Sequence, residues 1–204
     1  MKLKRKFYGR PTLDVTRDLL GKNLVHYIDG KRLVGKIVEA EAYIGTVDKA
    51  AHSYNNKKTR RNEVMFGPPG HAYVYLIYGM YNCINAVTQD EGEGTATLIR
   101  AVEPVENIEI MAHNRYNKPI EELKKRQIFN LTSGPGKLCM AMGITNKNSN
   151  GMDLCGDTLW IEKAEENEAF EIVETTRVNI DYAEEAVHFP WRFYIKDNPF
   201  VSKK

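Results

Sequence analysis

The order of apolar and polar residues predicts a chain that is mostly sheet in its middle, with helices before and after it. Helical spacing of apolar residues marks four segments, namely residues 12–20, 108–116, 118–127 and 137–142. Runs rich in β-branched and aromatic residues predict strands over residues 23–28, 32–43, 72–77, 83–88, 96–102, 159–162, 172–178 and 192–195. We therefore expect an α+β (mixed α/β) fold.

The densest aromatic pattern lies in residues 73–85, where four tyrosines fall within nine positions of an apolar stretch. The pattern predicts two strands joined at Tyr78 and Gly79, with Tyr73 and Tyr75 on one face of the first strand. A bulky aromatic side chain at a hairpin tip has few partners in its own chain. Tyr78 therefore either docks under another loop or serves as a wedge or stacking plate, and unstacked nucleobases are common partners of such plates.

Composition predicts one globular domain over residues 1–204. Hydrophobic residues make up 42% of the chain, and no run approaches the roughly 18 apolar residues of a membrane span, so no membrane contact is expected. The basic start continues into Tyr8 and Pro11 without an apolar core, so we expect a cytoplasmic protein and no export. Three cysteines cannot all pair and lack metal-ligand spacing, which predicts reduced thiols at Cys83, Cys139 and Cys155.

The distribution of charge is more informative than the net charge of +2. One basic run falls within five residues, namely Lys57, Lys58, Arg60 and Arg61. A late acidic group comprises Glu165, Glu166, Glu168, Glu171 and Glu174. The two groups predict a basic side and an acidic side.

Two carboxylates interrupt the predicted strand 32–43. Glu39, Glu41 and Tyr43 alternate along it and therefore share a face, with the two carboxylates about 6.6 Å apart by strand rise. Such carboxylates can face solvent on a half-exposed strand. Alternatively, an acid and a base at this separation can hydrolyse a glycosidic bond with inversion. Spacing alone leaves both interpretations open.

Three further polar residues lie in apolar surroundings. Arg100 follows an apolar run and should find an anion, for which Glu41 is a candidate. Asn85 lies inside a predicted strand, where it either makes a strand-to-loop hydrogen bond or reads a ligand. A single histidine such as His52 is more often a packing residue than a catalyst. The loop from Ser133 to Lys137 either presents amides and a lysine to a phosphate or forms a plain turn.

Several ordered motifs resemble the alkyladenine DNA glycosylase family. They are Val-Glu-Ala-Glu-Ala-Tyr at 38–43, Ala-Ala-His-Ser at 50–53, Arg-Asn at 61–62, the tyrosine hairpin at 73–85, Leu-Ile-Arg-Ala-Val-Glu-Pro at 98–104, Ser-Gly-Pro-Gly-Lys-Leu-Cys at 133–139 and Arg-Phe-Tyr-Ile at 192–195. The resemblance covers nearly the whole chain. It implies a compact domain with a curved, mostly antiparallel sheet, flanking helices and a protruding tyrosine hairpin.

The same resemblance implies a base-excision repair enzyme that flips an alkylated or deaminated purine out of duplex DNA and hydrolyses its N-glycosidic bond, leaving an abasic site. Glu41 matches the general base that activates water, and Arg100 and the main-chain carbonyl of Val178 match groups that hold this water. The resemblance implies neither a metal nor another cofactor. It offers no lysine nucleophile, so a monofunctional, monomeric glycosylase is expected.

The resemblance also assigns binding roles. Tyr43 and Tyr75 match the aromatic walls around the flipped base, where a cationic purine gains cation–π attraction. The main-chain amide of His52 matches a contact to the base edge, and Asn85 matches the residue that clashes with the amino group of guanine. Tyr73 and Tyr81 are then assigned to packing.

DNA contacts are implied at four other positions. Tyr78 matches the residue that enters the minor groove and fills the space of the flipped nucleotide. Lys57, Thr59 and Lys137 match positions near the phosphate backbone, which supply affinity without sequence information.

Two other functions use the same residues. A non-catalytic single-stranded nucleic-acid binder would use the tyrosines and the basic run but would not need Glu41. A carbohydrate hydrolase would use Glu39 and Glu41 on a platform rich in tryptophan, yet the chain has only Trp160 and Trp191, both outside the predicted site. The carboxylate among aromatic residues favours the glycosylase.

Overall fold

A computed structural model describes residues 1–164 and 169–204, and an eight-stranded sheet lies at its centre. The strands are β1 Asn23–Ile28, β2 Lys31–Ile44, β3 Ala72–Ile77, β4 Tyr81–Thr88, β5 Thr95–Glu106, β6 Leu159–Glu162, β7 Ile172–Thr175 and β8 Arg192–Ile195. Six strands follow the order β3-β4-β5-β2-β1-β6, while β8 pairs with β2 and β7. All of these described pairings are antiparallel.

Short helices flank the sheet. The α-helices are α1 Arg5–Tyr8, α2 Thr12–Leu19, α3 Ile108–Tyr116, α4 Lys125–Phe129, α5 Pro135–Ala141 and α6 Asn146–Ser149. Single 3₁₀ turns lie at Tyr54–Asn56, Glu63–Phe66, Ile120–Glu122 and Glu184–His188. Leu19 of α2, Met111 of α3 and Leu138 of α5 are fully buried in one core with Ile37 and Ile99 of the sheet. Burial of these side chains anchors the helices because their isolated turns are too short to be stable.

Strand β2 is the centre of the sheet and carries both carboxylates. It pairs with β5 along one edge, while β1 pairs with its first half and β8 with Glu39, Ala40 and Glu41 on the other edge. The register with β5 shifts between Ile37 and Ala40, which marks a bulge of the kind that re-aims side chains beside functional sites. Glu39 and Glu41 therefore lie in the interior of the sheet.

The predicted tyrosine hairpin is present as β3 and β4. Ile77 and Tyr81 form its last pair, so Tyr78, Gly79 and Met80 make the turn. Tyr78 has a φ of 53°, in the left-handed region that non-glycine residues seldom adopt, and Gly79 follows with a φ of 69°. The Tyr78 side chain is 77% exposed. It does not dock under another loop, so that alternative is wrong.

The α+β prediction is confirmed, with two local corrections. The helix predicted over residues 118–127 is wrong, because Leu123 and Lys124 are extended and divide it into a 3₁₀ turn and α4. Leu123 is buried against Ala112 and Leu131, so packing outweighs helical spacing here. The strand predicted over 172–178 ends at Thr175, and the chain then turns toward the cavity described below.

The acidic side predicted from the late glutamates falls partly outside the described residues, namely at Glu165, Glu166 and Glu168. Glu171 and Glu174 are paired with Lys196 and Arg17. Within the described ranges, no helix has both the length and the apolar character needed to cross a bilayer.

Candidate active site

A cavity of about 430 Å³ opens between the tyrosine hairpin, the end of β2, the start of α5 and the segment after β7. Aromatic rings dominate its wall, namely Tyr43, Tyr73, Tyr75, Tyr78, Tyr81 and Tyr182. A concave, largely aromatic cavity with a few polar groups is typical of a site for a planar ligand.

Glu41 lies directly behind this wall and is fully buried. Its Oε2 accepts a hydrogen bond from the Tyr43 hydroxyl at 2.8 Å, and its Oε1 accepts one from the Val178 amide at 2.9 Å. Arg100 Nη1 lies 3.4 Å from Oε1. All three partners line the cavity. The amide of Val178 therefore contacts Glu41, while the water contact expected of its carbonyl stays a prediction.

Burial and the charge of Glu41 raise the pKa of the Tyr43 hydroxyl well above its ordinary value, so this hydroxyl remains a donor at neutral pH. Burial opposes the charge of Arg100, but the carboxylates of Glu41 and Glu39 outweigh it and hold the pKa of Arg100 above its ordinary value. Arg100 therefore stays cationic between the two carboxylates. This confirms the predicted pairing of Arg100 with Glu41.

Glu39 is held differently from Glu41, although it is equally buried. Its Oε1 accepts from Arg100 Nε at 3.1 Å and from Arg192 Nη1 at 2.8 Å, and its Oε2 accepts from the Ser202 amide at 2.7 Å. Both oxygens are thus engaged by donors. The solvent-facing interpretation is wrong for both carboxylates, and Glu39 anchors two arginines.

The rings of the hairpin and His52 pack together on another wall. Tyr73 and Tyr75 have ring centres 5.3 Å apart, and the His52 ring meets Tyr75 edge-on at 4.6 Å. Tyr73 donates to or accepts from His52 Nδ1 at 2.9 Å. Desolvation of the His52 ring, with a smaller contribution from the charge of Arg61, lowers its pKa below the ordinary value, so the ring is neutral at pH 7.

Asn85 is nearly buried on β4 and lines the cavity. Its amide nitrogen donates to the Tyr73 carbonyl at 2.9 Å across the hairpin. The predicted strand-to-loop hydrogen bond is wrong, because the acceptor lies on the neighbouring strand. Since the side chain also reaches the cavity, this bond fixes its orientation there.

Lys57 and Thr59 lie outside the cavity, on the exposed loop beside it. The buried Asn62 ties this loop to the site. It accepts from the Thr59 amide at 2.6 Å and donates to the carbonyls of His52 at 2.7 Å and Lys57 at 2.9 Å. In the sequence Asn62 stands out only as part of Arg-Asn at 61–62, because its partners are brought to it by the fold.

Lys137 lies at the mouth of the cavity with Arg115. Partial burial, followed by the charge of Arg115, lowers the pKa of Lys137 below the ordinary lysine value. The ammonium is bonded to Asn130. The structure thus brings this predicted lysine to the site, together with a second cation that sequence reasoning missed.

The resemblance assigns Tyr73 and Tyr81 to packing, and the structure agrees with this for only one of the two. Tyr73 is 1% exposed, which agrees with packing even though its edge lines the cavity. Tyr81 is 41% exposed and lies against Gly136 at the cavity mouth, so the assignment to packing is wrong for this residue. Tyr78 lines the mouth as well, at the tip of the hairpin.

Sequence reasoning missed a buried ion pair beside the cavity, between Asp48 and Arg177. The pair lies under Tyr43 and next to Val178. The only available signal was a charged residue within each of two cavity-lining segments, and their separation by 129 positions gave no reason to pair them. Within the described residues, no group of three or more histidine, cysteine, aspartate or glutamate side chains could hold a metal ion.

Comparisons with known proteins point to one family. A family model described as methylpurine-DNA glycosylase matches residues 6–199. A protein of Alkaliphilus oremlandii, named "Putative 3-methyladenine DNA glycosylase", is 68% identical over 204 residues, which is the full length of both chains. Proteins with the same name from Clostridium tetani and Desulfitobacterium hafniense are 57% and 54% identical, and the alignments cover 100% of this chain and 100% and 99% of theirs.

The matched model spans nearly the whole described fold, including the hairpin, β2 and the start of α5. The family that the sequence motifs predict is thereby confirmed. The chain belongs to the methylpurine-DNA glycosylase family.

Proposed function

We propose that this protein is a monofunctional base-excision repair DNA glycosylase that flips alkylated or deaminated purines out of duplex DNA and hydrolyses their N-glycosidic bonds. The observation that carries the proposal is the buried carboxylate of Glu41, held by Tyr43, Val178 and Arg100 at the wall of an aromatic cavity. No finding supports the alternative of a non-catalytic single-strand binder.

In this mechanism Glu41 is the general base. A carboxylate oxygen with one hydrogen bond retains an acceptor site, so Glu41 can take a proton from water while the water oxygen bonds to C1′. The electron pair of the N-glycosidic bond leaves with the purine. A 3- or 7-alkylpurine already carries positive charge and departs as a neutral base, whereas a neutral base such as hypoxanthine takes up a proton from solvent as it departs. Arg100 offsets negative charge beside the attacking water, and the Val178 carbonyl helps to orient this water.

The aromatic wall selects the base. Tyr43 and Tyr75 sandwich the flipped purine, and a cationic purine gains attraction from their electron-rich faces. The His52 amide contacts the edge of the base, in a loop that Asn62 holds in place. Asn85 blocks the exocyclic amino group of normal guanine, because its orientation is fixed by the Tyr73 carbonyl.

Base flipping and DNA affinity come from residues at the cavity mouth and on the loop beside it. Tyr78 extends from the hairpin and fills the gap that the flipped nucleotide leaves in the duplex. Lys57, Thr59 and Lys137 contact the backbone of the same DNA. We also propose that residues 1–204 act as one glycosylase domain and as a monomer, which sedimentation with and without DNA tests directly.

The function is tested by incubating the protein with duplexes that contain 3-methyladenine, 7-methylguanine, ethenoadenine or hypoxanthine. Released base is separated by chromatography, and abasic sites are revealed by alkali. We expect release from at least one damaged duplex, no release from undamaged DNA and no strand cleavage before alkali. Absence of release from the whole panel would contradict the proposal.

A further inference from the structure

Asp48 and Arg177 form an ion pair that is closed to solvent. Both side chains are fully buried, and two guanidinium nitrogens meet the two carboxylate oxygens at 2.5 and 2.7 Å. Such a bidentate pair fixes orientation as well as distance. A buried ion pair is by itself weak evidence for stability, because apolar replacements are often as stable. Its position relative to the cavity is therefore the more informative property.

On one side the pair supports the aromatic wall. Arg177 Nη1 donates to the Ala42 carbonyl at 2.9 Å, directly before Tyr43 in β2. The guanidinium carbon lies 4.8 Å from the ring centre of Tyr43 and 5.2 Å from that of Trp191. The guanidinium thus occupies the space beside the Tyr43 ring and restricts where that ring can lie.

On the other side the pair supports the groups around Glu41 and the base edge. Arg177 directly precedes Val178, whose amide donates to Glu41 at 2.9 Å. Asp48 accepts from the Ala50 amide at 3.0 Å, in the turn that leads to His52. One ion pair therefore connects two segments that are distant in the sequence and that both line the cavity.

We propose that the Asp48–Arg177 pair is a positioning element of the active site, which sets the Tyr43 ring and holds the Val178 amide on Glu41. The inference rests on the proposed function, because Tyr43 and Glu41 are the groups that it assigns to base stacking and water activation. Neither Asp48 nor Arg177 touches substrate, and both act through their neighbours.

Two variants separate positioning from simple stability. Asp48→Asn keeps the shape but removes the charge, and Arg177→Lys keeps the charge but loses the two-pronged contact. Asp153→Asn is the control, because it breaks an Arg–Asp pair with Arg5, and neither of these residues lines the cavity. Thermal unfolding of each variant sets a temperature at which all are folded.

At that temperature, base release is measured with enzyme in excess over damaged duplex. We expect rates about 10-fold to 100-fold lower for Asp48→Asn, a smaller loss for Arg177→Lys and the wild-type rate for Asp153→Asn. The loss should lie in the single-turnover rate at saturating enzyme, because the pair holds the Val178 amide on Glu41. The affinity for damaged duplex should change far less, because the hairpin tip is untouched, and loss of a merely structural pair would not separate these two quantities.

Wild-type rates of base release in folded Asp48→Asn and Arg177→Lys would overturn the positioning role and leave the proposed function intact. If the wild-type protein released no base, the proposed function would fail instead. A crystal structure of Asp48→Asn is independent of activity. An unchanged Val178 amide to Glu41 distance would overturn the inference, and a broken contact with a rotated Tyr43 ring would support it.

Discussion

The buried charges behind the cavity wall and the tip of the tyrosine hairpin meet their partners in opposite ways. Behind the wall, at Glu39, Glu41 and Arg100, the chain itself supplies donors to both carboxylates. At the tip, Tyr78 is 77% exposed and its backbone is in a left-handed conformation. The buried carboxylates are held by the protein, whereas Tyr78, the proposed wedge, is presented to solvent.

This difference predicts that substitution of a buried carboxylate behind the cavity wall has the largest effect on the rate of base release. Glu41→Gln keeps the shape of the side chain but removes its capacity to accept a proton, so base release should fall about 1,000-fold. Binding of damaged duplex should change little. Single-turnover release and equilibrium binding measure the two quantities, and release within 10-fold of the wild-type rate would contradict the assignment.

Glu39→Gln should mainly affect stability. Loss of this buried charge leaves Arg192 and part of Arg100 uncompensated, so the free energy of unfolding should fall by about 3 kcal/mol in urea denaturation. Folded Glu39→Gln should retain far more activity than Glu41→Gln. Glu174→Gln is the control, since its exposed pair with Arg17 should contribute less than about 1 kcal/mol. Equal loss of activity in the variants at 39 and 41 would remove the distinction between the carboxylates.

At the hairpin tip, Tyr78→Ser should slow release from duplex DNA about 10-fold, because the flipped state loses the ring that fills its gap. Release from single-stranded DNA and the unfolding temperature should not change. Tyr27→Ser provides the control at a half-exposed tyrosine of β1 outside the cavity. An equal effect on single strands would reject the wedge and place the ring in the base pocket.

Lys137 lies at the mouth of the cavity and should have the smallest effect. Lys137→Met should weaken DNA binding a few-fold and reduce the salt slope by about 1. Because burial and Arg115 lower the pKa of Lys137, its cationic form is lost at a lower pH than that of an ordinary lysine. The advantage of the wild type over Lys137→Met in DNA affinity should therefore shrink as the pH rises from 7 toward 10.

Fluorescence anisotropy across this pH range measures that advantage, with the exposed Lys31→Met as the control for general charge effects. A ratio that stays constant up to the titration range of an ordinary lysine would contradict the effect of burial on Lys137.

The local sequence pattern was sufficient to predict the bounds of several strands and one helix. The bounds of β1, β3, β6, β8 and α3 agree with their predictions, because each contains apolar residues and is bounded by residues that favour turns or loops. Prediction failed where packing overrode spacing, as at Leu123, and where the chain leaves a strand to reach the cavity, as after Thr175. Both failures depend on contacts that a local window does not contain.

The sequence by itself determined the family, the tyrosine hairpin and the identity of the candidate residues, because ordered motifs and strand alternation are local properties of the chain. Only the tertiary structure decided that Glu39 anchors arginines while Glu41 meets the cavity wall, and that Asp48 and Arg177 join two sides of it. The physical reason is that the environment of a buried charge is set by partners far away in the sequence, which spacing along one strand cannot reveal.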